Sequence, residues 1–331
     1  MSLDTAVPAI RLSGVRKRFA GARTDAIGLL DLDMAEGSVT ALVGPSGCGK
    51  TTTLRMINRL IEPTEGIVEL FGRDVRALPL HDLRRGIGYV IQQAGLFPHR
   101  TVAGNIATVP QLLGWEKGRV RDRVAEMTEL VGLDTELLDR YPAELSGGQQ
   151  QRVGVARALA ADPPVLLMDE PYSAVDPIVR VRLQDELLAL QRSVHKTIVL
   201  VTHDVEEALK LADRVALLNV GGRLEQLASP DELLRAPANA FVQSFLGRER
   251  ALRRLALQRS CDGELGPVPD DSSTLPTVAN DAPLREALDA LVASGRDVVV
   301  LVDGDGRAVG SLDLATITTR IGNPPVESDR S

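Results

Sequence analysis

The sequence predicts an α/β fold in which helices cover both faces of a mostly parallel sheet. Compact aliphatic segments such as Val39–Val43 and Thr197–Val201 alternate with helical stretches such as 149–161, a pattern typical of such sheets. A glycine-rich segment at 44–49 also separates the first of these strands from a helical stretch at 49–60. This strand–loop–helix order is that of a phosphate-binding loop.

Length and composition restrict the remaining classes of protein. With 331 residues, the chain suits one large domain and a smaller one, and its 44% hydrophobic and 25% charged residues are typical of a folded protein. Its net charge of -7 argues against a nucleic-acid partner. The first residues lack a signal-peptide pattern, and no segment approaches the roughly 18 apolar residues of a membrane span. We therefore expect a cytoplasmic protein that takes any membrane role from a partner.

The chain changes character after residue 247, which predicts a domain boundary there. Arginines crowd the segment just beyond, and 263–274 is rich in Gly, Pro, Asp and Ser, as linkers are. The predicted organisation is a domain at 7–247, an Arg-rich segment and linker at 248–276, a small α/β segment at 277–322, and a tail at 323–331.

The glycine-rich segment fits the motif G-x-x-x-x-G-K-[ST]. Its glycines let several backbone N–H groups point at one anion, and the following helix adds its positive end. We predict that Lys50 reaches the β- and γ-phosphates of a nucleoside triphosphate and that the Thr51 hydroxyl ligates Mg²⁺. The residues predicted to hold the nucleotide here are Gly44, Pro45, Ser46, Gly47, Cys48, Gly49, Lys50, Thr51 and Thr52. The motif alone leaves a GTPase, a kinase and a transporter open.

Two adjacent acids follow the apolar strand predicted at 165–168. A strand that delivers a carboxylate at its C-terminal end is how P-loop NTPase folds hold Mg²⁺ opposite the loop, which predicts this role for Asp169. Glu170 is then placed to orient or deprotonate the attacking water.

A third motif begins the helical stretch at 149–161 and consists of Leu145, Ser146, Gly147, Gly148 and Gln149. It resembles the LSGGQ signature of the ABC ATPase family. The resemblance implies a RecA-like core with antiparallel β and helical subdomains, ATP as the nucleotide, and a head-to-tail dimer. In that dimer Ser146, Gly147, Gly148 and Gln149 of one subunit contact the nucleotide held by the other.

Other family landmarks follow in order. By the same resemblance, Gln92 contacts Mg²⁺ and the attacking water, with the adjacent Gln93 the weaker candidate. Asp176 communicates across the dimer, His203 contacts the γ-phosphate, and Phe19 stacks on adenine. The resemblance covers residues 7 to about 247.

Three function classes remain: an importer ATPase, an exporter subunit, and an ABC ATPase that works on DNA or ribosomes. The chain has no predicted membrane span, a single cassette and no long coiled-coil insertion, which favours the importer. Residues 92–106 resemble the stretch of bacterial importer ATPases that receives the permease. The alternative is that Leu96 and Phe97 fill the local core.

The wording of 89–99 resembles the ATPases of glycine betaine, carnitine and choline uptake, and residues 281–320 resemble one CBS repeat. The resemblance implies permease subunits, an extracytoplasmic solute-binding protein, a homodimer or a paired ATPase subunit, and a peripheral place on the cytoplasmic face of the membrane. Two features depart from the group: Tyr172–Val175 replaces Phe-Gly-Ala-Leu, and a single repeat replaces a pair. We expect this repeat to pair with its counterpart in the dimer, or 248–260 with the linker to stand in for the missing half. Import of another small solute, or a non-transport role, is the alternative.

Overall fold

The structure is a computed structural model that describes residues 7–92, 95–173 and 175–322. The chain divides into two compact units, Met1–Ser229 and Pro230–Ser331. The predicted boundary at 247 lies later than this division.

An antiparallel sheet of four strands opens the first unit, in the order β2-β1-β4-β5. Its strands are β1 (Ile10–Lys17), β2 (Ile27–Met34), β4 (Glu65–Leu70) and β5 (Arg73–Asp74). Buried and exposed residues alternate along most of β2, because successive side chains point to opposite faces.

A second sheet of six strands forms the centre of this unit, in the order β10-β9-β3-β8-β7-β6. Its strands are β3 (Val39–Val43), β6 (Ile87–Val90), β7 (Val165–Asp169), β8 (Thr197–Val201), β9 (Arg214–Asn219) and β10 (Arg223–Ala228). All pairs are parallel except β9 with β10. Every residue of β3, β7 and β8 is buried. The predicted, mostly parallel α/β sheet is confirmed.

Eight α-helices accompany these sheets among the described residues of the first unit. They are α1 (Lys50–Ile57), α2 (Leu80–Arg85), α3 (Val102–Ile106), α4 (Thr108–Leu112), α5 (Lys117–Leu130), α6 (Gly147–Leu159), α7 (Pro177–Val194) and α8 (Val205–Leu211). One hydrophobic cluster includes residues of both sheets and of α1, among them Leu12, Leu42 and Leu54. The two sheets and α1 therefore share one hydrophobic core.

The second unit has its own small sheet and core. Its elements are α9 (Pro230–Arg235), α10 (Ala240–Leu246), α11 (Arg250–Leu257), β11 (Thr277–Ala279), α12 (Leu284–Ser294), β12 (Val298–Val302), β13 (Ala308–Asp313) and α13 (Leu314–Gly322). The sheet order is β11-β12-β13, with the first pair parallel and the second antiparallel. Leu255 of α11 is buried in the same cluster as Leu284 and Leu301. The region predicted as a small α/β segment at 277–322 contains β11, β12, β13, α12 and α13, and the predicted tail at 323–331 lies outside the described residues.

An ion pair explains why the second unit begins before residue 247. Arg254 of α11 is 4% exposed, and its Nε lies 2.8 Å from an Asp231 carboxylate oxygen of α9. A buried guanidinium needs such a partner. The ion pair therefore links α9 to the arginine-rich α11 in one unit. The Arg-rich segment therefore contributes a buried side chain and is not a fully solvated helix. No helix among the described residues is long and apolar enough to cross a membrane.

Candidate active site

The glycine-rich loop lies between the end of β3 and the start of α1. Gly49 has a φ of 104°, and a Cβ at this position would lie 2.2 Å from Ile27 Cδ1. A Cβ at Gly44 would lie 2.1 Å from the carbonyl oxygen of Leu218. Both positions therefore require glycine, because only glycine has the conformation and the space. Pro45, Ser46 and Gly47 continue the loop, and Thr52 lies in α1 as predicted.

Lys50 is 6% exposed and lies inside this loop. Its Nζ donates to the carbonyl oxygens of Gly44 at 2.7 Å and Pro45 at 3.1 Å, and lies 3.9 Å from Cys48 Sγ. The hydrogen-bond acceptors found for this ammonium among the described residues are neutral. A nearly buried positive charge with neutral partners favours an anion, and a phosphate is the anion that such a loop accommodates.

The side chains of Thr51 and Asp169 meet where α1 begins and β7 ends. Thr51 Oγ1 donates to Asp169 Oδ1 at 2.8 Å. Burial raises the pKa of Asp169, and the hydrogen bond from Thr51 opposes that rise. A hydroxyl and a carboxylate side by side are the hard oxygen donors that Mg²⁺ prefers. Among the described residues, no group of three or more His, Cys, Asp and Glu side chains could hold a metal by itself.

Glu170 follows directly and adopts a φ of 47°, which is uncommon for a residue other than glycine. Its backbone N–H donates to Val201 O at 2.9 Å and thereby holds the turn against β8. Gln92 Nε2 donates to Glu170 Oε2 at 2.9 Å, and His203 Nδ1 lies 3.4 Å from the same oxygen. The structure therefore brings together the three predicted catalytic side chains. Gln93 lies outside the described residues.

The remaining predicted site residues lie elsewhere on the unit. Ser146 caps α6, because its Oγ accepts from Gln149 N at 3.3 Å while Gln149 Oε1 accepts from Ser146 N at 2.8 Å. Asp176 caps α7 by accepting from Ile178 N at 2.9 Å. None of the hydrogen bonds described for the signature residues, which include Gly147 and Gly148, reaches the phosphate loop.

Phe19 is 43% exposed, and Lys17 Nζ lies 5.2 Å from the centre of its ring. An exposed aromatic ring is available for stacking. The contact between Lys17 and the Phe19 ring forms within the chain and involves no nucleotide.

Cys48 is fully buried in the loop, and this burial raises the pKa of its thiol. The thiolate is the reactive form of cysteine. A buried thiol with a raised pKa is therefore a small packing residue rather than an oxidation site. Cys261, the other cysteine, is exposed.

The sequence did not single out a further set of residues behind His203. Thr202 and Glu207 are both buried, and Thr202 Oγ1 donates to Glu207 Oε2 at 2.8 Å. The only sequence signal is the run from Asp204 to Glu207, which reads as a helix cap followed by solvated acids. Asp204 does cap α8, since its Oδ1 accepts from Glu206 N at 2.9 Å.

The backbone of Phe97 is fixed by a buried side chain. Asn105 Oδ1 accepts from Phe97 N at 2.8 Å, and Asn105 Nδ2 donates to Phe97 O at 3.1 Å. The ring is 40% exposed. The alternative in which Leu96 and Phe97 fill the local core is wrong for Phe97, whereas Leu96 is half-buried.

Comparison with known proteins agrees with this geometry. The family described as ABC transporter matches residues 28–173. The osmoprotectant import ATP-binding protein OsmV of Salmonella typhimurium is 48% identical over 91% of this chain and 78% of its own length. The glycine betaine/carnitine/choline transport ATP-binding protein OpuCA of Bacillus subtilis is 46% identical over 93% of this chain and 79% of its own. The resemblance predicted from 89–99 is confirmed by these relatives.

A solved structure has the same fold. The dimeric ATP-binding cassette MJ0796 in a post-hydrolysis state, bound to ADP and Pi, superposes with a TM-score of 0.61 at 33% identity. The match covers 67% of this chain and 98% of that cassette. The chain therefore belongs to the ATP-hydrolysing subunits of the ABC transporter family.

Proposed function

We propose that this chain powers the import of quaternary-amine osmoprotectants such as glycine betaine, choline and carnitine. The observation that carries the enzymatic part is the position of Glu170, whose carboxylate faces Gln92 and His203 beside the Thr51–Asp169 pair. The transport of osmoprotectants and of glycine betaine, carnitine and choline, for which OsmV and OpuCA are named, supports the transported class.

In the proposed reaction the loop 44–51 and Thr52 bind the phosphates of ATP. Glu170 accepts a proton from the attacking water, or orients it, because a carboxylate held by a neighbouring amide is positioned for general-base work. Gln92 orients that carboxylate, and His203 contacts the γ-phosphate. Phe19 stacks on the adenine.

Mg²⁺ fits the residues present, since Thr51 and Asp169 offer oxygen atoms within hydrogen-bonding distance of each other. These two side chains would hold it, with Gln92 as a further ligand. When bound, the ion neutralises charge on the phosphate oxygens. Asp169 is buried, so its charge is stabilised most when a cation is beside it.

A head-to-tail dimer completes the proposed site. Ser146 and Gly147 are exposed at the start of α6, and the Ser146 hydroxyl with the backbone N–H groups of Gly147 and Gly148 is suited to a phosphate. We propose that Ser146, Gly147, Gly148 and Gln149 contact ATP held by a partner ATPase subunit, a second copy of this chain or a paired one. Asp176 lies at the start of α7 and is proposed to contact the same partner subunit. The dimeric state of MJ0796 supports this arrangement.

The membrane partners are proposed to be permease subunits that work with an extracytoplasmic solute-binding protein. The exposed Phe97 ring is the proposed contact for a permease, because an exposed apolar side chain on a backbone that buried Asn105 fixes favours a partner surface. The chain would then lie peripherally on the cytoplasmic face of the cell membrane.

The C-terminal region is proposed to be a single CBS-like repeat at 277–322 after the Arg-rich segment and linker at 248–276, with the ATPase domain at 7–247. The strand–helix–strand–strand–helix order of this region supports a small regulatory module. The presence of α11 in its core supports the alternative in which the Arg-rich segment substitutes for a missing half.

Uptake of labelled solute tests the transported class. Cells that lack this chain and other uptake systems for these amines are grown at high osmolarity, and uptake of glycine betaine, choline and carnitine is measured. We expect loss of at least one uptake activity, restored by the normal chain and not by Glu170→Gln. Unchanged uptake of all three would reject the quaternary-amine assignment, while ATP hydrolysis by the purified chain would still be tested separately.

A further inference from the structure

The carboxyl group of Glu207 is buried behind the proposed catalytic side chains and has no part in the reaction described above. It is 5% exposed and lies in the first turn of α8. Its Oε2 accepts from Thr202, whereas its Oε1 is buried and has no hydrogen-bond partner among the described residues. Burying an ionised carboxylate with only one hydrogen bond costs free energy, which favours the neutral acid at this position.

Thr202 connects this carboxyl to the loop that carries His203. Its backbone N–H donates to Leu42 O of β3 at 3.2 Å, and its Oγ1 accepts from Asp204 N at 3.0 Å. The hydroxyl therefore lies between Glu207 and the chain on both sides of His203. A change in the Glu207 carboxyl would be transmitted through this hydroxyl to the residues on both sides of His203.

The charged groups around Glu207 come from α7, from the start of α8 and from the residue that follows β7. Arg180 of α7 lies nearby, with Nη1 at 3.4 Å from Asp204 Oδ2, Nη2 at 3.4 Å from Val175 O, and a buried Nε without a partner in the described chain. Burial is the main reason that the pKa of Glu207 rises to about 7. Thr202 and Arg180 oppose the rise, whereas Asp204 and Glu170 add to it. Glu207 in turn helps to raise the pKa of the buried Tyr172, although burial of that phenol is the larger cause.

We propose that Glu207 is a positioning residue for His203, which it holds through Thr202 as the neutral acid. Loss of its proton leaves a buried anion beside Asp204 and Glu170, and Arg180 is the cation within reach. Arg180 would then leave Val175 and Asp204, and the loop that carries His203 would lose its fixed position. This inference rests on the proposed role of His203 in hydrolysis.

Steady-state ATP hydrolysis by the purified full chain, measured from pH 6 to pH 9, tests the proposal. The variants are Glu207→Gln, Glu207→Ala and Thr202→Val, with Glu206→Gln as the matched control, because it makes the same change on the neighbouring exposed residue. Loss of one positioning hydrogen bond corresponds to roughly 5- to 30-fold in rate. We therefore expect Glu207→Ala and Thr202→Val to lower kcat by about that factor with little change in KM.

The Gln variant cannot ionise, so it distinguishes positioning from packing. We expect its kcat to match that of the normal chain below pH 6.5 and to exceed it by about threefold or more at pH 8.5. A ratio that does not vary with pH would overturn the proposal. So would unchanged kcat in the Ala variant. If the Ala variant does not fold, as judged by thermal unfolding and ATP binding, the pH dependence of the Gln variant decides.

His203→Ala in the same assay separates the two hypotheses. If this variant hydrolyses ATP at the normal rate, the proposed function of His203 fails. If it is slow while Glu207 variants behave normally, the positioning inference alone fails.

Discussion

The side-chain amide of Gln92 donates to Glu170 Oε2 at 2.9 Å, although the two residues lie 78 positions apart in the chain. His203 Nδ1 lies 3.4 Å from the same oxygen. One carboxylate oxygen is thus faced by two side chains, each from a different strand end. The ends of β6, β7 and β8 therefore converge on Glu170.

Replacement of Glu170 by Gln should slow ATP hydrolysis by about 10²–10⁴-fold, the usual range for a general acid or base. ATP binding should remain, because Lys50 and the loop are untouched, and the ATP-bound dimer should accumulate. Single-turnover hydrolysis, equilibrium nucleotide binding and size-exclusion chromatography with ATP measure the three effects. Glu116→Gln, at an exposed position, is the control, and normal hydrolysis by the Glu170 variant would remove Glu170 from the chemistry.

Mixing two inactive variants should restore hydrolysis if ATP lies between subunits. In a head-to-tail dimer, Lys50→Ala removes the loop lysine of one subunit and Ser146→Arg blocks the signature of the other. Their heterodimer keeps one complete site, which either homodimer lacks. We expect the mixture to hydrolyse ATP several-fold faster than the sum of the separate variants. A rate equal to that sum would contradict the shared site.

The Glu207→Gln variant should be more stable than the normal chain at alkaline pH. The folded-state pKa of about 7 exceeds the ordinary value of 4.5, so the folded chain holds this proton more tightly than the unfolded chain. Stability from Glu207 is complete below pH 4.5 and is lost as the pH rises to 7. At pH 8 the loss amounts to roughly 3 kcal/mol. Thermal unfolding should show a higher Tm for the variant at pH 8 and a smaller difference at pH 5, and equal differences would contradict the shift.

Thiol reagents should modify one cysteine per native chain. Cys261 is exposed, whereas Cys48 is buried and burial raises its pKa. Titration with a chromogenic disulfide should count one thiol in the native protein and two after denaturation. In Cys261→Ser, the native count should fall to zero. Rapid reaction of a thiol in that variant would show that Cys48 is accessible.

Much of the first unit could be predicted because its motifs are local. A glycine-rich loop between Val39–Val43 and α1 is visible in consecutive residues, and so is an acid pair at the end of β7. The parallel pairing of β3, β8 and β7 then places the C-terminal ends of these strands at one edge of the sheet. The predicted residues Thr51, Asp169 and Glu170 consequently lie together.

The residues that escaped prediction depend on tertiary burial. Glu206 and Glu207 are adjacent and identical in type, yet Glu206 is exposed and Glu207 is buried. Only the packing of α8 decides which of the two is buried. The division before residue 247 has a similar origin, since Asp231 and Arg254 pair across a stretch that the composition does not connect.

The strand order of the central sheet also sets the sequence of events during synthesis. Ala41 of β3 pairs with Leu200 of β8 and Val215 of β9, so the strand before the phosphate loop receives its neighbours only after most of this unit has been made. The antiparallel sheet, by contrast, is built from residues before 75. Contacts between distant segments form slowly, and domains begin to fold while still on the ribosome. A chain released before β8 would carry a complete loop motif on an unpaired apolar strand, which is a substrate for chaperones rather than an enzyme.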